Sequence, residues 1–500
     1  MPNNTRIALA PGDGIGPEAM DATLALFRAA GIFDHLEFVP VEMGKSVFLK
    51  GDTRGMTSAA IRTVEDCGVL FKGPMETPKG SGGKSINVTA RKIWNAFANL
   101  RTFRTLPGVT TPFSTAGIPV NLLIVRENVE DTYGGVEHRL SNDVVQCKRL
   151  ISAPGCDQVM RFAFETARRL GLVSVHCGHK ANIMKMTDGL FLERFQAMAR
   201  EFPEIAAGDV IVDALCMNLV MRPQMYRMVV LPNLQGDIVS DLAAGLVGGL
   251  GFAPSANIGT HISIFEAVHG TAPDIAGLGV ANPTALILSG LMMLRHLGLT
   301  RHAAAIENAL LKALEDGIHT GDFGDPARHA VGTMEFANEV ANRLGEKPNT
   351  VPACAEPLES GATVTLRAPQ RPKEGTPHAQ IRTFTNADAQ VVGCDVYLDT
   401  NLTSDALADE LARISAESQL RLTMISNRGT QVWPTGSVYT ECVDYWRARF
   451  ESSSGVDIGP ISQAHVIALV NRLAENFTVS AYELLRIFDG QRGFSMAQGQ

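Results

Sequence analysis

Two aspartates, Asp237 and Asp241, stand four residues apart in NLQGDIVSDLAAGL, a spacing that places both on one face of a helix. Carboxylates this close repel each other unless a cation sits between them, and oxygen-only ligands suit Mg2+ or Mn2+. The same pair also fits one carboxylate favoured by the helix dipole and one solvated, and both readings stand. VDALCMN supplies a third aspartate, Asp213, at the expected end of a strand.

Arginines form a second set. Ser85, Asn87, Arg91 and Arg101 fall within KSINVTARKIWNAFANLRTF, and Arg126 and Tyr133 within LLIVRENVEDTYGG. Guanidinium forks bind carboxylates bidentately, so these positions read either as a polyanion site or as three surface ion pairs. VHCGHKANIMK offers Lys180, which can act as a base when neighbouring cations lower its pKa. The nearby His176, Cys177 and His179 do not make a zinc site. Alternation on a strand sends His176 and Cys177 to opposite faces, and no fourth ligand is in view. FEAVHGTAPDIAGLGVANPTA, residues 265–285, is a Gly/Pro/Ala-rich loop whose backbone N–H groups can meet a diphosphate.

These residues need elements to hold them. Up to about residue 345, strand-like runs (Ile7–Ala10, Val69–Lys72, Asn121–Val125, Val173–Val175, Val210–Asp213, Met228–Leu231) alternate with helical patterns such as Asp157–Leu170. That alternation predicts an α/β architecture. RIALAPGDGIGPEAM opens the chain with a strand, a tight turn and a helix starting at Pro17. It fails the Rossmann pattern, which needs glycine where Pro17 stands, and it lacks the Gly-Lys-Ser/Thr of a phosphate loop. The stretch 347–377 holds six prolines without periodicity and reads as a linker or extended arm. Beyond it VVGCDVYLDT alternates like a strand, and Leu407, Leu411 and Ile414 mark a helix. LRLTMISNRGTQVW reads as two strands about an Asn-Arg-Gly turn, and helices are expected around Cys442–Phe450, Val466–Leu473 and Ala481–Phe488. This is a separate small α/β domain.

Bulk properties exclude several classes. A net charge of −8 with no basic stripe argues against nucleic-acid binding. Eight cysteines without a C-x-x-C pair give neither a disulfide framework nor a zinc ribbon. The longest apolar run, TALILSGLMML, is half a membrane span and reads as a buried helix. A cytoplasmic protein without a membrane partner is expected.

Taken together, GDGIGPE, VRENVEDTYGG, HKANIMK, NLQGDIVSDLAAGLVGGLGFAPSANIG and HGTAPDIAG resemble the β-decarboxylating dehydrogenases, the isocitrate, isopropylmalate, homoisocitrate and tartrate enzymes. The resemblance covers residues 6 to about 345, and the C-terminal domain is similar to the extension of some bacterial isocitrate enzymes. It implies a two-domain α/β fold unrelated to the Rossmann unit. The large domain is expected over 1–97 and 248–345, and the small domain over 98–247 with a dimer clasp at about 131–173. A proline-rich linker over 346–380 and an accessory α/β domain over 381–500 follow. The implied activity is oxidative decarboxylation of isocitrate to 2-oxoglutarate and CO2, a step of the tricarboxylic acid cycle. Homoisocitrate or 3-isopropylmalate oxidation is the alternative, disfavoured by the polar Ser85 and Asn87; a non-catalytic regulatory subunit is another, disfavoured by the complete residue set.

By the same resemblance Ser85, Asn87, Arg91, Arg101 and Arg126 bind substrate, and Asp213, Asp237 and Asp241 hold Mg2+ or Mn2+. Tyr133 and Lys180 are catalytic, with Lys180 and Asp213 coming from the partner in a homodimer. Thr77, Asn182, Glu266, His269, Gly270, Thr271, Ala272, Asp274, Ile275, Asn282 and Asp322 are expected at the dinucleotide. The expected dinucleotide is NAD+. NADP+-dependent relatives carry Lys-Tyr where this chain has Asp274-Ile275, and TGDFGD here lacks the Tyr and Arg of many bacterial ones. A 2′-phosphate about 4 Å from Asp274 would cost roughly 4 kcal/mol at an effective dielectric near 20.

Overall fold

The computed structural model describes residues 4–76, 85–141, 143–355, 389–436, 439–452 and 459–495. It divides into two compact units, residues 1–134 with 149–376 and residues 135–148 with 377–500. Most of the proline-rich stretch lies outside the described residues.

Among the described residues, ten of the twelve strands before residue 270 make one mixed sheet. They are β1 (Thr5–Ala10), β2 (Leu36–Pro40), β3 (Val69–Lys72), β4 (Ala98–Arg104), β5 (Asn121–Glu127), β8 (Ser174–His179), β9 (Ala206–Ile211), β10 (Met228–Leu231), β11 (Pro254–Ile258) and β12 (Ser263–Ala267). The other two, β6 (Asp131–Arg139) and β7 (Val145–Leu150), pair with each other as a separate hairpin. The sheet order is β2-β1-β3-β12-β11-β4-β5-β10-β8-β9. Strands from residues 1–97 and 248–345 therefore fill one half and those from 98–247 the other, meeting where β11 runs antiparallel to β4. The strands flanking this junction pair in parallel, and β3 and β10 are buried throughout on both faces, because helices cover the sheet.

One core gathers the Gly16–Ala29, Thr284–His296 and Thr300–Glu315 helices over β1 and β3. A second packs Ala153–Arg169 and Thr187–Ala199 against β8 and β10. TALILSGLMML lies in the buried Thr284–His296 helix, and no helix among the described residues is long and apolar enough to cross a bilayer. GDGIGPE builds a close backbone approach. Gly14 takes φ +60°, and a Cβ there would collide with Thr271 O. Ile15 N–H donates to that same Thr271 O at 2.9 Å. Two expected strands shift, Val173–Val175 to β8 and Val210–Asp213 to β9, which ends at Ile211, so Asp213 sits in the first turn of the Val212–Met221 helix rather than at a strand end.

In the second unit the strands are β13 (Ala389–Asp399), β14 (Leu420–Asn427), β15 (Thr430–Trp433), β16 (Tyr445–Ser452), β17 (Thr478–Phe488) and β18 (Gln491–Arg492). They form one antiparallel sheet, order β15-β14-β16-β13-β17-β18. With helices Ser404–Ser415 and Gln463–Ala474 the connectivity is strand–helix–strand–strand–helix–strand, the ferredoxin-like arrangement with β15 and β18 added. Two expected helices are corrected here, since Cys442–Phe450 contains most of β16 and Ala481–Phe488 lies in β17. In β16 the buried Trp446, Ala448 and Phe450 alternate into the core while Arg447 and Arg449 face the other way and pair with Asp395. This period of two is present in YWRARF itself, where apolar residues alternate with arginines.

Candidate active site

The arginine set is assembled by strand register. Asn99 on β4 pairs with Arg126 on β5, and Arg101 lies two residues along from Asn99, so all three share one face. Arg101 Nε donates to Asn99 Oδ1 at 2.7 Å and Nη2 to Asp237 Oδ1 at 3.2 Å. Arg126 binds the same Asp237 oxygen, and its Nε and Nη2 reach Asn233 Oδ1 at 3.0 and 2.7 Å. The Asn233–Leu246 helix can come this near because residue 236 is glycine; a Cβ there would lie 2.7 Å from Arg126 Cγ. Burial, then the charges of Arg101 and Arg91, bring the Arg126 guanidinium down to about 10.

Asp237 is the hub. Its Oδ2 accepts the Tyr133 hydroxyl at 2.6 Å, and the Arg126 guanidinium lies 4.8 Å over the Tyr133 ring. Burial pushes the Asp237 carboxyl up, but Arg126 and Arg101 outweigh it and hold the group below the usual carboxylate range. Asp241, one turn on, is largely exposed and 3.7 Å from Arg101 Nη1. Burial raises its pKa, with the Asp237 charge acting in the same direction.

Ser85 caps the Ile86–Ile93 helix, and Asn87 and Arg91 lie one turn apart on it. Beneath them is a residue the sequence reading passed over. Lys72, at the end of β3, is 1% exposed; its Nζ donates to Asn87 Oδ1 at 2.8 Å and pairs with Glu266. Arg91 Nη2 reaches the other Glu266 oxygen at 3.1 Å. Glu266 is thus a buried counter-ion, brought down to about 2 by Lys72 and Arg91 against the opposing effect of burial. A lysine closing an otherwise apolar strand was the available signal.

Lys180 stands in a second group with Asp213, which it pairs with directly. That hydrogen bond, ahead of the Coulombic attraction, holds the Asp213 carboxyl down. Among the described residues no three His, Cys, Asp or Glu side chains gather as a metal set. Asp237 and Asp241 belong to the arginine group and Asp213 to the lysine group. Two adjacent carboxylates one turn apart nevertheless fit a hard divalent cation that completes its shell with other oxygens.

Seven of the positions expected at the dinucleotide, His269 to Asn282, lie along the 269–282 loop, whereas Glu266 is buried between Lys72 and Arg91. Glu18 pins that loop by accepting Gly279 N–H at 3.0 Å and Ala281 N–H at 3.4 Å. Asn282 Nδ2 donates to Asp322 Oδ2 at 3.1 Å. His269 Nδ1 meets Gly270 O at 2.9 Å, while its buried Nε2 has no partner among the described residues; open space lies beside Gly270. A buried donor–acceptor site beside an open backbone fits a bound dinucleotide. Thr271, Ala272 and Ile275 are half-buried, and Asp274 and Asn182 are exposed. Thr77 lies outside the described residues.

Residues 6–340 match the family described as isocitrate/isopropylmalate dehydrogenase, and residues 389–500 match the C-terminal domain of bacterial isocitrate dehydrogenase. An isocitrate dehydrogenase [NADP] of Thermus thermophilus is 43% identical over 99% of this chain and 96% of its own. One from Rickettsia bellii, also named as the NADP enzyme, is 37% identical over the whole of both chains. A crystal structure of a Thermus thermophilus protein superposes with a TM-score of 0.90 at 42% identity, covering 99% of this chain and 96% of the other. These full-length relatives overturn the expectation of NAD+, since they are named for NADP+. The physical weakness of that expectation is visible in the loop. Asp274 is exposed, and in water a like-charge contact at about 4 Å costs only about 1 kcal/mol. One solvated carboxylate does not decide the dinucleotide.

Proposed function

We propose, from the premise that the chain belongs to the isocitrate/isopropylmalate dehydrogenase family, that it oxidises and decarboxylates isocitrate to 2-oxoglutarate and CO2 with NADP+ and a divalent cation. The polar floor that Lys72 builds under Asn87 carries this reading. Lys72 commits the Asn87 amide oxygen, so the NH2 group is the part left to donate to substrate. Isocitrate brings a γ-carboxylate where isopropylmalate brings an isopropyl group. A carboxylate is matched by donors from Ser85 and Asn87, whereas an apolar group against them leaves polar atoms unpaired at a cost of about 1–3 kcal/mol.

In this reading Arg91, Arg101 and Arg126 hold the remaining carboxylates of the substrate. Asp237 and Asp241, with the partner subunit's Asp213, hold Mg2+ or Mn2+. Bound there, the cation would supply a Lewis acid for the substrate hydroxyl and the ketone formed from it, and NADP+ would supply the hydride acceptor. The partner subunit's Lys180 takes the hydroxyl proton, and Tyr133 returns a proton to substrate carbon after CO2 leaves.

The homodimer is supported by where the apolar surface lies. Met217, Val220 and Met221 are exposed at helical spacing from Asp213, and Leu234 and Ile238 are exposed at the same spacing from Asp241. Each carboxylate thus borders an uncovered apolar helix face, and docking of a second copy would cover both. Steady-state kinetics with Mg2+, comparing isocitrate with 3-isopropylmalate and NADP+ with NAD+, tests the proposal. Higher kcat/KM for 3-isopropylmalate, or for NAD+, would overturn it.

A further inference from the structure

Arg149, at the end of β7, has no place in the chemistry described above, yet its guanidinium ties together the elements that carry it. Its Nε binds Asp131 Oδ1 and its Nη2 lies 3.3 Å from Asp131 Oδ2. Its Nη1 binds Asp188 Oδ1 and also meets Met184 Sδ at 2.9 Å. Both aspartate side chains are fully buried, and this arginine is the cation they share.

Each aspartate uses its remaining capacity on backbone beside a chemical group. Asp131 Oδ2 accepts Leu234 N–H at 3.0 Å, in the first turn of the helix bearing Asp237 and Asp241. Its Oδ1 accepts Thr132 N–H at 2.8 Å, one residue before Tyr133. Asp131 holds φ +65° to do this, a left-handed conformation that costs a non-glycine residue energy and needs enforcement from its surroundings. Asp188 Oδ2 accepts the backbone N–H of Lys180 at 2.6 Å and the Gln235 side chain at 3.0 Å.

We infer that Arg149 is a positioning residue that couples the two half-sites of one chain: through Asp131 it sets Tyr133 and the Asp237 helix, and through Asp188 it sets Lys180. This rests on the shared-site reading above. Under that reading a subunit keeps the first half-site and lends the second, so one guanidinium sets the geometry of both active sites in a dimer. Removing the arginine takes from both buried carboxylates the counter-charge they share among the described residues.

Arg149→Gln tests the inference. With isocitrate, Mg2+ and NADP+, kcat should fall about 10- to 100-fold, as expected when reacting groups shift by about 1 Å, while KM changes less than about threefold. Arg149→Lys should recover part of the loss, since an ammonium reaches one aspartate but lacks the fork for both. Asp188→Asn gives a second route if Arg149→Gln does not fold: its amide oxygen still accepts Lys180 N–H, and the same fall in kcat is expected. In mixed dimers, Arg149→Gln paired with Lys180→Met leaves one site that reports the lent half, and pairing with Tyr133→Phe leaves one that reports the kept half. Both should be slower than the same mixtures made with unaltered Arg149; a loss in one alone overturns the coupling. Amide hydrogen exchange reads the link without turnover and so separates this inference from the functional reading. Lys180 and Leu234 N–H should both lose protection in Arg149→Gln, and unchanged protection at either refutes it.

Discussion

The Tyr133 hydroxyl donates to Asp237 Oδ2 at 2.6 Å, while Arg101 and Arg126 both hold Asp237 Oδ1. Both oxygens of the proposed metal ligand therefore already accept hydrogen bonds, and a cation competes with these donors for the carboxylate. The tyrosine is the weaker holder, being neutral. Tyr133→Phe should bind Mn2+ at least as tightly as the unaltered protein, read by titration of the free-ion electron paramagnetic resonance signal, while turnover falls about 100-fold or more. Weaker Mn2+ binding would show that the hydroxyl supports the metal instead.

Asp237→Asn should keep the fold but lower activity by orders of magnitude, because a neutral amide is a poor ligand for Mg2+. The same change removes a carboxylate that two buried arginines share, leaving Arg101 only Asp241 at 3.7 Å, so circular dichroism and the melting temperature must accompany the assay. Unchanged turnover at saturating Mg2+ and substrate sinks the metal assignment.

Lys180 pairs with Asp213, and Tyr133 with Asp237, so the two groups proposed to move protons sit in separate clusters of one chain. If the site is shared, mixing inactive Lys180→Met with inactive Tyr133→Phe restores part of the activity after subunit exchange. Each hybrid dimer holds one site with both residues intact. No recovery despite proven exchange by native mass spectrometry would count against sharing.

Lys72 Nζ holds the Asn87 amide oxygen at 2.8 Å, and in the proposed reading the amide NH2 donates to substrate. Asn87→Leu should lower kcat/KM for isocitrate about 10- to 100-fold, since a hydrogen bond to a charged group is worth about 1.5–3 kcal/mol. The loss should be smaller for 3-isopropylmalate. Equal loss on both substrates would place Asn87 outside the γ-carboxylate contact.

Glu266 links Lys72 to Arg91 in the buried floor and titrates at about 2. A carboxylate depressed on folding contributes stability that is present above its unfolded pKa and lost as pH falls through the folded one. Glu266→Gln should therefore be less stable at pH 7 by about 3 kcal/mol, the scale for breaking a buried pair. The gap to the unaltered protein should narrow as pH drops from about 4.5 toward 2, measured by denaturant melts. A gap that is independent of pH would mean the loss comes from packing.

What the sequence alone determined is chemistry-bearing residue types in local context. GDGIGPE, HKANIMK and NLQGDIVSD name their residues because each motif is contiguous, and local spacing puts Asp237 and Asp241 on one face and starts a helix at Pro17. Period-two alternation marked β13 and β14, where one face is wholly apolar. It missed β16 and β17, although YWRARF in β16 alternates apolar and charged residues; Arg447 and Arg449 there pair with Asp395 of β13, a partner that only the sheet order brings near. Tertiary structure alone decided which distant side chains meet. Arg101 and Arg126 converge because β4 and β5 pair antiparallel in one register, and Lys72 lies under Asn87 because the sheet and a helix fold together. Arg149 reaches Asp131 and Asp188 across 18 and 39 residues of chain. Such convergence depends on sheet order and on the energy of burying charge, and neither is written in spacing. The dinucleotide shows the same division. The charge at Asp274 is read directly from the sequence, but what that charge is worth depends on the water around it, and the fold leaves it exposed.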